Sequence, residues 1–130
     1  MEILQPPGWA RPKGYSNGIT TSGRMVFVSG MVGWDAQGEF RTDDFAGQAR
    51  QALLNIVAVL NEARALPEHI VRMTWYVVDK KEYVAAYKEI GIAYREIIGR
   101  HFPTMTAVQV VALVEDRAKL EIEVTAVVPE

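Results

Sequence analysis

The sequence predicts an α+β fold with elements in the order β-β-α-β-α-β-β: a four- or five-stranded mixed sheet with two helices covering one face. Three observations carry this. Two long segments repeat apolar residues at helical spacing, several shorter ones alternate with the period of a strand, and Gly or Pro separates them. A chain of 130 residues fits one domain, spanning 1–130. No repeat, low-complexity tract or mid-chain linker divides it.

The segment up to Gly18 is expected to be irregular, because Pro6, Pro7, Pro12, Gly8, Gly14 and Gly18 punctuate it. Ile19-Thr20-Thr21 and Met25-Val26-Phe27-Val28-Ser29 flank Ser22-Gly23, a hairpin signal. A loop from Gly30 to Gly38 follows and contains Trp34. Thr42 is the expected N-cap of the first helix, with Asp43 and Asp44 in its first turn. The helix buries Phe45, Ala49, Ala52, Leu53, Ile56, Leu60 and Ala63, and Pro67 stops it.

Ile70 to Val78 reads as a strand, with Val71, Met73, Trp75 and Val77 on one face and Arg72, Thr74, Tyr76 and Val78 on the other. Asp79 and Glu82 suggest a capping box for a second helix. That helix runs to about Gly99 with a stripe of Tyr83, Val84, Tyr87, Ile90, Tyr94 and Ile97. Thr104 to Leu113 and Ala118 to Val128 are the last strands, joined by a turn at 114–117.

Composition excludes several function classes. Hydrophobic residues form 49% of the chain and charged residues 23%, an ordinary globular balance. The absence of cysteine removes disulfides, thiol nucleophiles and thiolate metal sites. The two histidines, His69 and His101, lack metal-site spacing, so no metal and no other cofactor is expected. A net charge of −2, without a basic stripe interleaved with aromatics, gives no basis for nucleic acid binding. No segment has the length of a signal peptide core or of a membrane span, so a cytoplasmic protein without membrane association is expected.

The last strand places Leu120, Ile122, Val124 and Ala126 under the helices and Lys119, Glu121, Glu123 and Thr125 on the opposite side. That opposite side is not strongly polar across the final strands, since valines remain on both faces. A sheet covered on one side alternates more cleanly. A second subunit is therefore expected on it, which makes the chain a homo-oligomer with a small-molecule pocket along the strands from Pro103 to Val128. Glu121 and Glu123 would be partly desolvated there, either as acid–base groups or as acceptors in ion pairs and hydrogen bonds.

The order of these elements, with Gly14-Tyr15, Val28-Ser29-Gly30, the run Gln48 to Asn55, Phe102-Pro103 and Leu120-Glu121-Ile122-Glu123, resembles the YjgF/RidA (endoribonuclease L-PSP) family over nearly the whole chain. The resemblance implies a chorismate-mutase-like fold and a homotrimer whose sheets form a central barrel. It also implies three intersubunit clefts, which in the deaminase branch bind 2-imino or enamino acids. An arginine there holds the substrate carboxylate, and a glutamate with backbone groups positions the water that hydrolyses the C=N bond.

Carried over by residue, Glu121 is the catalytic candidate, and Tyr15, Ser29 and Gly30 match cleft positions. The arginine position, two residues after Pro103, is Met105, and the position two further on is Ala107. Methionine replaces a bidentate cation with a flexible apolar contact. With Met31 and Trp34 at the border, the cleft is expected to favour an aromatic or alkyl substrate over a small amino-acid imine. Arg11 and Lys13 are the nearest cations in sequence to Tyr15. The function implied is an enamine/imine deaminase-like hydrolase acting on a largely apolar metabolite. The alternatives are a non-catalytic trimer that binds a metabolite in the same clefts, and, by fold analogy alone, a pericyclic enzyme. His101 is either an acid–base group at the cleft mouth or a residue at the helix C-terminus. Trp75 is assigned to the core, and Trp34 either to the site or to packing.

Overall fold

A computed structural model describes residues 1–130. Three strands precede the first helix: β1 (Glu2–Leu4), β2 (Gly18–Thr20) and β3 (Arg24–Met31). Helix α1 (Phe45–Glu62) leads through a 3-10 turn at Pro67–His69 to β4 (Ile70–Val77). Helices α2 (Lys80–Ala85) and α3 (Tyr87–Ile97) then precede β5 (Thr104–Gln109) and β6 (Leu120–Val128). The main sheet has the order β3-β6-β4-β5, and β1 with β2 forms a separate two-stranded sheet.

The predicted hairpin does not form. Gly18–Thr20 pairs antiparallel with Glu2–Leu4, so part of the segment expected to be irregular is a strand, while β3 takes β6 as its partner. The final two strands are also not neighbours. The helices between β4 and β5 form a crossover, which leaves those strands parallel. The last strand crosses to the far side of β4 and pairs there antiparallel. The sheet is therefore mixed, as expected.

The helical stripe of α1 is buried as predicted from Phe45 to Leu60, with Ala49, Ala52, Leu53, Ile56 and Leu60 fully inaccessible, while Ala63, expected to continue it, is the half-buried C-cap. Its cap differs. Asp44 is the N-cap and accepts a hydrogen bond from Gly47 N, while the Thr42 hydroxyl accepts from Asp44 N and tightens the approach. The helix ends before Pro67, through Arg64 in the left-handed region at φ 55°. Asp79 caps α2 as expected, but Glu82 reaches Lys119 at 3.4 Å. The second helix is broken at Ala86, so three helices rather than two cover the sheet.

Alternation along β6 is as predicted: Leu120, Ile122, Val124 and Ala126 are buried against the helices, together with Met73, Trp75 and Val77 of β4. A register shift between Ile70 and Arg72 puts Ile70 in the core and leaves Val71 half-buried, a departure from strict alternation. The opposite face carries Arg72, Thr74 and Tyr76 beside Thr125, Glu123 and Glu121. Phe27 on β3 is 70% exposed and Met25 57%. No helix is long and apolar enough to cross a membrane.

Fully buried Gln48 ties the core to two loops. Its Nε2 donates to Thr42 O and Arg117 O, both at 3.0 Å, and its Oε1 accepts from Lys119 N at 2.8 Å. Three backbone groups thus find partners on one side chain, which fixes the start of α1 against the entry to β6.

Candidate functional site

Within one chain the sequence-predicted residues fall into two groups on opposite faces of the sheet. Tyr15, Met105 and Ala107 line a cleft of about 660 Å³ beside α3 and the edge strand β5. Met105 and Ala107 stand opposite Met73 and Trp75 in the β4–β5 register, on the helix side. Tyr15 is brought there by its neighbour. Buried Ser16 donates its hydroxyl to Phe102 O at 2.5 Å and its amide to Pro103 O at 3.0 Å, locking the N-terminal segment beside β5.

The second group lies toward the other edge of the sheet. The β3–β6 register shifts between Val28 and Met31, so Ser29 and Gly30 form an irregular step. Exposed Ser29 borders a depression of about 580 Å³ with Arg72, Thr74, Glu123 and Thr125. Gly30 lies against Glu121: a Cβ added at Gly30 would come 2.1 Å from Glu121 Oε2. The missing side chain leaves the space the carboxylate occupies. Opposite Glu121 stands Tyr76, whose hydroxyl donates to Glu123 Oε1 at 2.5 Å. That hydrogen bond, followed by desolvation, raises the Tyr76 pKa above the usual phenol value.

Met31 and Trp34 join neither group. Met31 packs against the hydrophobic core. Trp34 packs on Phe40 with ring centroids 5.8 Å apart, and Asn55 Nδ2 donates to the carbonyls of Val32 at 3.1 Å and Trp34 at 2.8 Å. The next turn is held by Asp35, which accepts from Gln37 N, Glu39 N and Arg41 Nε. These bonds, led by the Glu39 amide, lower the Asp35 pKa.

His101 has a structural partner. Its Nε2 donates to Ile70 O at 2.6 Å, and its own carbonyl accepts the Tyr94 hydroxyl at 2.7 Å. His69 Nδ1 accepts from Leu66 N inside the 3-10 turn. No group of three acidic, histidine or cysteine side chains is arranged to hold a metal ion.

The cleft contains residues that sequence reasoning assigned to the core. Trp75 and Tyr83 have ring centroids 5.8 Å apart, and Tyr83 meets Tyr87 edge-on at 5.0 Å. Tyr94 stacks on Phe102 at 5.9 Å. Tyr87, read as core from its position in the helical stripe, is 54% exposed and lines the cleft. Burial raises the pKa of Tyr83 and, more strongly, of Tyr94. Trp75 is 1% exposed and also lines the cleft, yet its Nε1 has no hydrogen-bond partner. Arg95 is the residue that sequence reasoning missed. Its i+4 and i+8 spacing from Gly91 and Tyr87 was the available signal, and all three line the cleft.

A mixed four-stranded sheet with helices on one face is shared with a known group of proteins. The family model for endoribonuclease L-PSP matches residues 9–128, and the chain belongs to that family, which includes the Rid proteins. Relatives align over most of the chain. TdcF of Escherichia coli, whose name carries the term reactive intermediate deaminase, is 32% identical over 130 residues, covering 98% of this chain and 95% of the relative. A 2-iminobutanoate/2-iminopropanoate deaminase of Salmonella typhimurium is 32% identical over 108 residues, covering 81% of this chain and 80% of that one. Among solved structures, YyfB of Yersinia pestis, of the conserved Rid family, superposes with a TM-score of 0.86 at 30% identity and covers 98% of both chains.

Proposed function

We propose that this chain is an imine/enamine deaminase-like hydrolase acting on a small, largely apolar metabolite, in clefts completed between the subunits of a homotrimer. One observation carries the reading: Tyr15, Met105 and Ala107 lie on one face of the sheet and Glu121 with Gly30 on the other, so one chain cannot present them to one ligand. A second copy, seated on the open face that exposes Phe27 and Met25, supplies the missing half. The names of the relatives give the reaction class.

The chemistry follows from the residues. An enamine first tautomerises to its imine. Glu121 accepts a proton from water as the oxygen attacks the imine carbon and the C=N π electrons move to nitrogen. Glu121 returns that proton to nitrogen, which gives a carbinolamine; the carbinolamine hydroxyl proton then moves through Glu121 to nitrogen, the C–N bond breaks, and ammonia leaves as the carbonyl forms. Backbone groups near Gly30 and Ala107 orient the substrate. Met105 contributes apolar contact where a carboxylate-binding arginine would stand. That replacement also supports a second reading, a trimer that binds a metabolite without hydrolysing it.

The test uses light scattering and ammonia release from 2-imino acids generated in situ by an amino-acid oxidase. A trimer that accelerates hydrolysis, and loses the acceleration in Glu121→Gln, supports the enzyme. Ligand binding by both forms with no acceleration in the wild type favours the second reading. A stable monomer overturns the intersubunit site.

A further inference from the structure

We propose that the cleft beside α3 is a binding site for aromatic carboxylates, with Arg95 as the anion-binding residue. This deepens the proposed function by naming a substrate class, and it rests on the same cleft. Four observations converge on it.

The first is charge. Arg95 and Lys13 are the only charged residues lining the cleft, and neither takes part in an ion pair or a hydrogen bond within the chain. The neighbouring Glu96 is paired with Arg50 at 2.6 Å and does not neutralise Arg95. Within one chain the cleft holds two unpaired cations and no carboxylate, and the single Glu121 that a second copy brings still leaves the cations in excess, which favours an anionic ligand. Arg95 is the better placed of the two. It projects from a helix and its planar guanidinium matches a carboxylate with two parallel hydrogen bonds, whereas Lys13 lies in the N-terminal segment next to Gly14.

The second is shape and surface. The lining is dominated by aromatic rings, and a volume of about 660 Å³ suits a small molecule. Flat faces and edges of this kind favour an aromatic body over a short alkyl chain.

The third is Gly91. Glycine is a poor residue for a helix interior, yet it sits within α3 between Tyr87 and Arg95 on the lining face. A Cβ added there would meet no atom within 4 Å. Nothing in the chain requires glycine at this point, and the bare backbone keeps open the space between the aromatic ring and the cation.

The fourth is Trp75. A buried indole N–H without an acceptor is costly, and this one belongs to a ring that borders the cleft. A ligand carrying an acceptor oxygen gives it a partner once the lining shifts to uncover the nitrogen, which has under 1 Å² of exposed surface.

The experiment compares three stable probes by calorimetric titration: 3-phenylpropionate, its neutral amide 3-phenylpropanamide, and butyrate. Wild-type protein is expected to bind 3-phenylpropionate about tenfold or more tighter than either of the others, the scale of one charge-assisted pair. Arg95→Gln should abolish the preference for acid over amide while leaving the amide unaffected. Gly91→Leu, which the open space accommodates, should fold with an unchanged circular dichroism spectrum and lose binding of both aromatic probes. Equal binding of acid and amide by the wild type, or a preference that survives Arg95→Gln, overturns the assignment. These binding measurements do not depend on hydrolysis. The site therefore stands if the deaminase reading fails, and the deaminase reading stands if butyrate binds as well as the aromatic acid.

Discussion

Glu121 occupies the space that a side chain at Gly30 would fill, with its Oε2 only 2.1 Å from where a Cβ at Gly30 would lie. The contact crosses from β3 to β6 at the point where their register shifts. The irregular step and the glycine together decide where the carboxylate stands, and this makes Gly30 a positioning residue for Glu121.

Gly30→Ala should therefore damage activity more than stability. The obstructing atoms belong to the end of a flexible side chain, so the fold yields at a cost of about 1 kcal/mol. The carboxylate must move, and imine hydrolysis should fall toward the level of Glu121→Gln. A double-mutant cycle with Glu121→Ala checks the cause: once the carboxylate is removed, Gly30→Ala should have no further destabilising effect.

Gln48→Leu should do the reverse. It keeps apolar volume at a fully buried position but leaves the Thr42 and Arg117 carbonyls and the Lys119 amide without their partner. Each unsatisfied buried group costs about 1–3 kcal/mol, so a loss of roughly 3 kcal/mol or more is expected. Denaturant unfolding measures it directly, and a change under 1 kcal/mol would mean that water replaces the amide.

Tyr76 supplies a pH signature at the open face. Its folded pKa lies above the usual phenol value, first because its hydroxyl donates to Glu123 and next because of desolvation. A group raised on folding contributes stability that is present in full below the unfolded value of about 10 and is lost as pH rises through the folded value. Tyr76→Phe should therefore be less stable than the wild type at pH 8, and the difference should shrink above pH 10. Unfolding curves for the two proteins at both pH values test this, and a constant difference would separate the phenol from the effect.

Local patterns were legible where one side chain's environment depends on a short repeat. The alternation of Leu120, Ile122, Val124 and Ala126 identified the core face of β6, and the acids between them identified the other face. The stripe of α1 and the cap at Asp79 were equally readable. The hairpin around Ser22-Gly23 was not. A turn signal says that a chain can reverse, but β1 supplied the partner of β2 and β6 that of β3. Backbone hydrogen bonds carry little sequence information, so the neighbours of a strand cannot be read from the strand.

The candidate site divides in the same way. The resemblance named Glu121, Gly30, Tyr15 and Met105 as candidates, with Met105 expected at the position of the family's arginine. Tyr87 and Tyr94 shared one helical stripe, and periodicity assigned both to the core. The break at Ala86 and the course of β5 left Tyr87 half-exposed in a cleft and Tyr94 buried behind Phe102. By itself the sequence determined the first helix, the core-facing side of β6 and most of that of β4, and the carboxylate on the opposite side, because these follow from periods of two to four residues. Tertiary structure alone decided that Gly91 and Arg95 border the same cleft as Trp75 and Met105. Those residues come from a helix and two strands, and only the packing of those elements sets the distances between them.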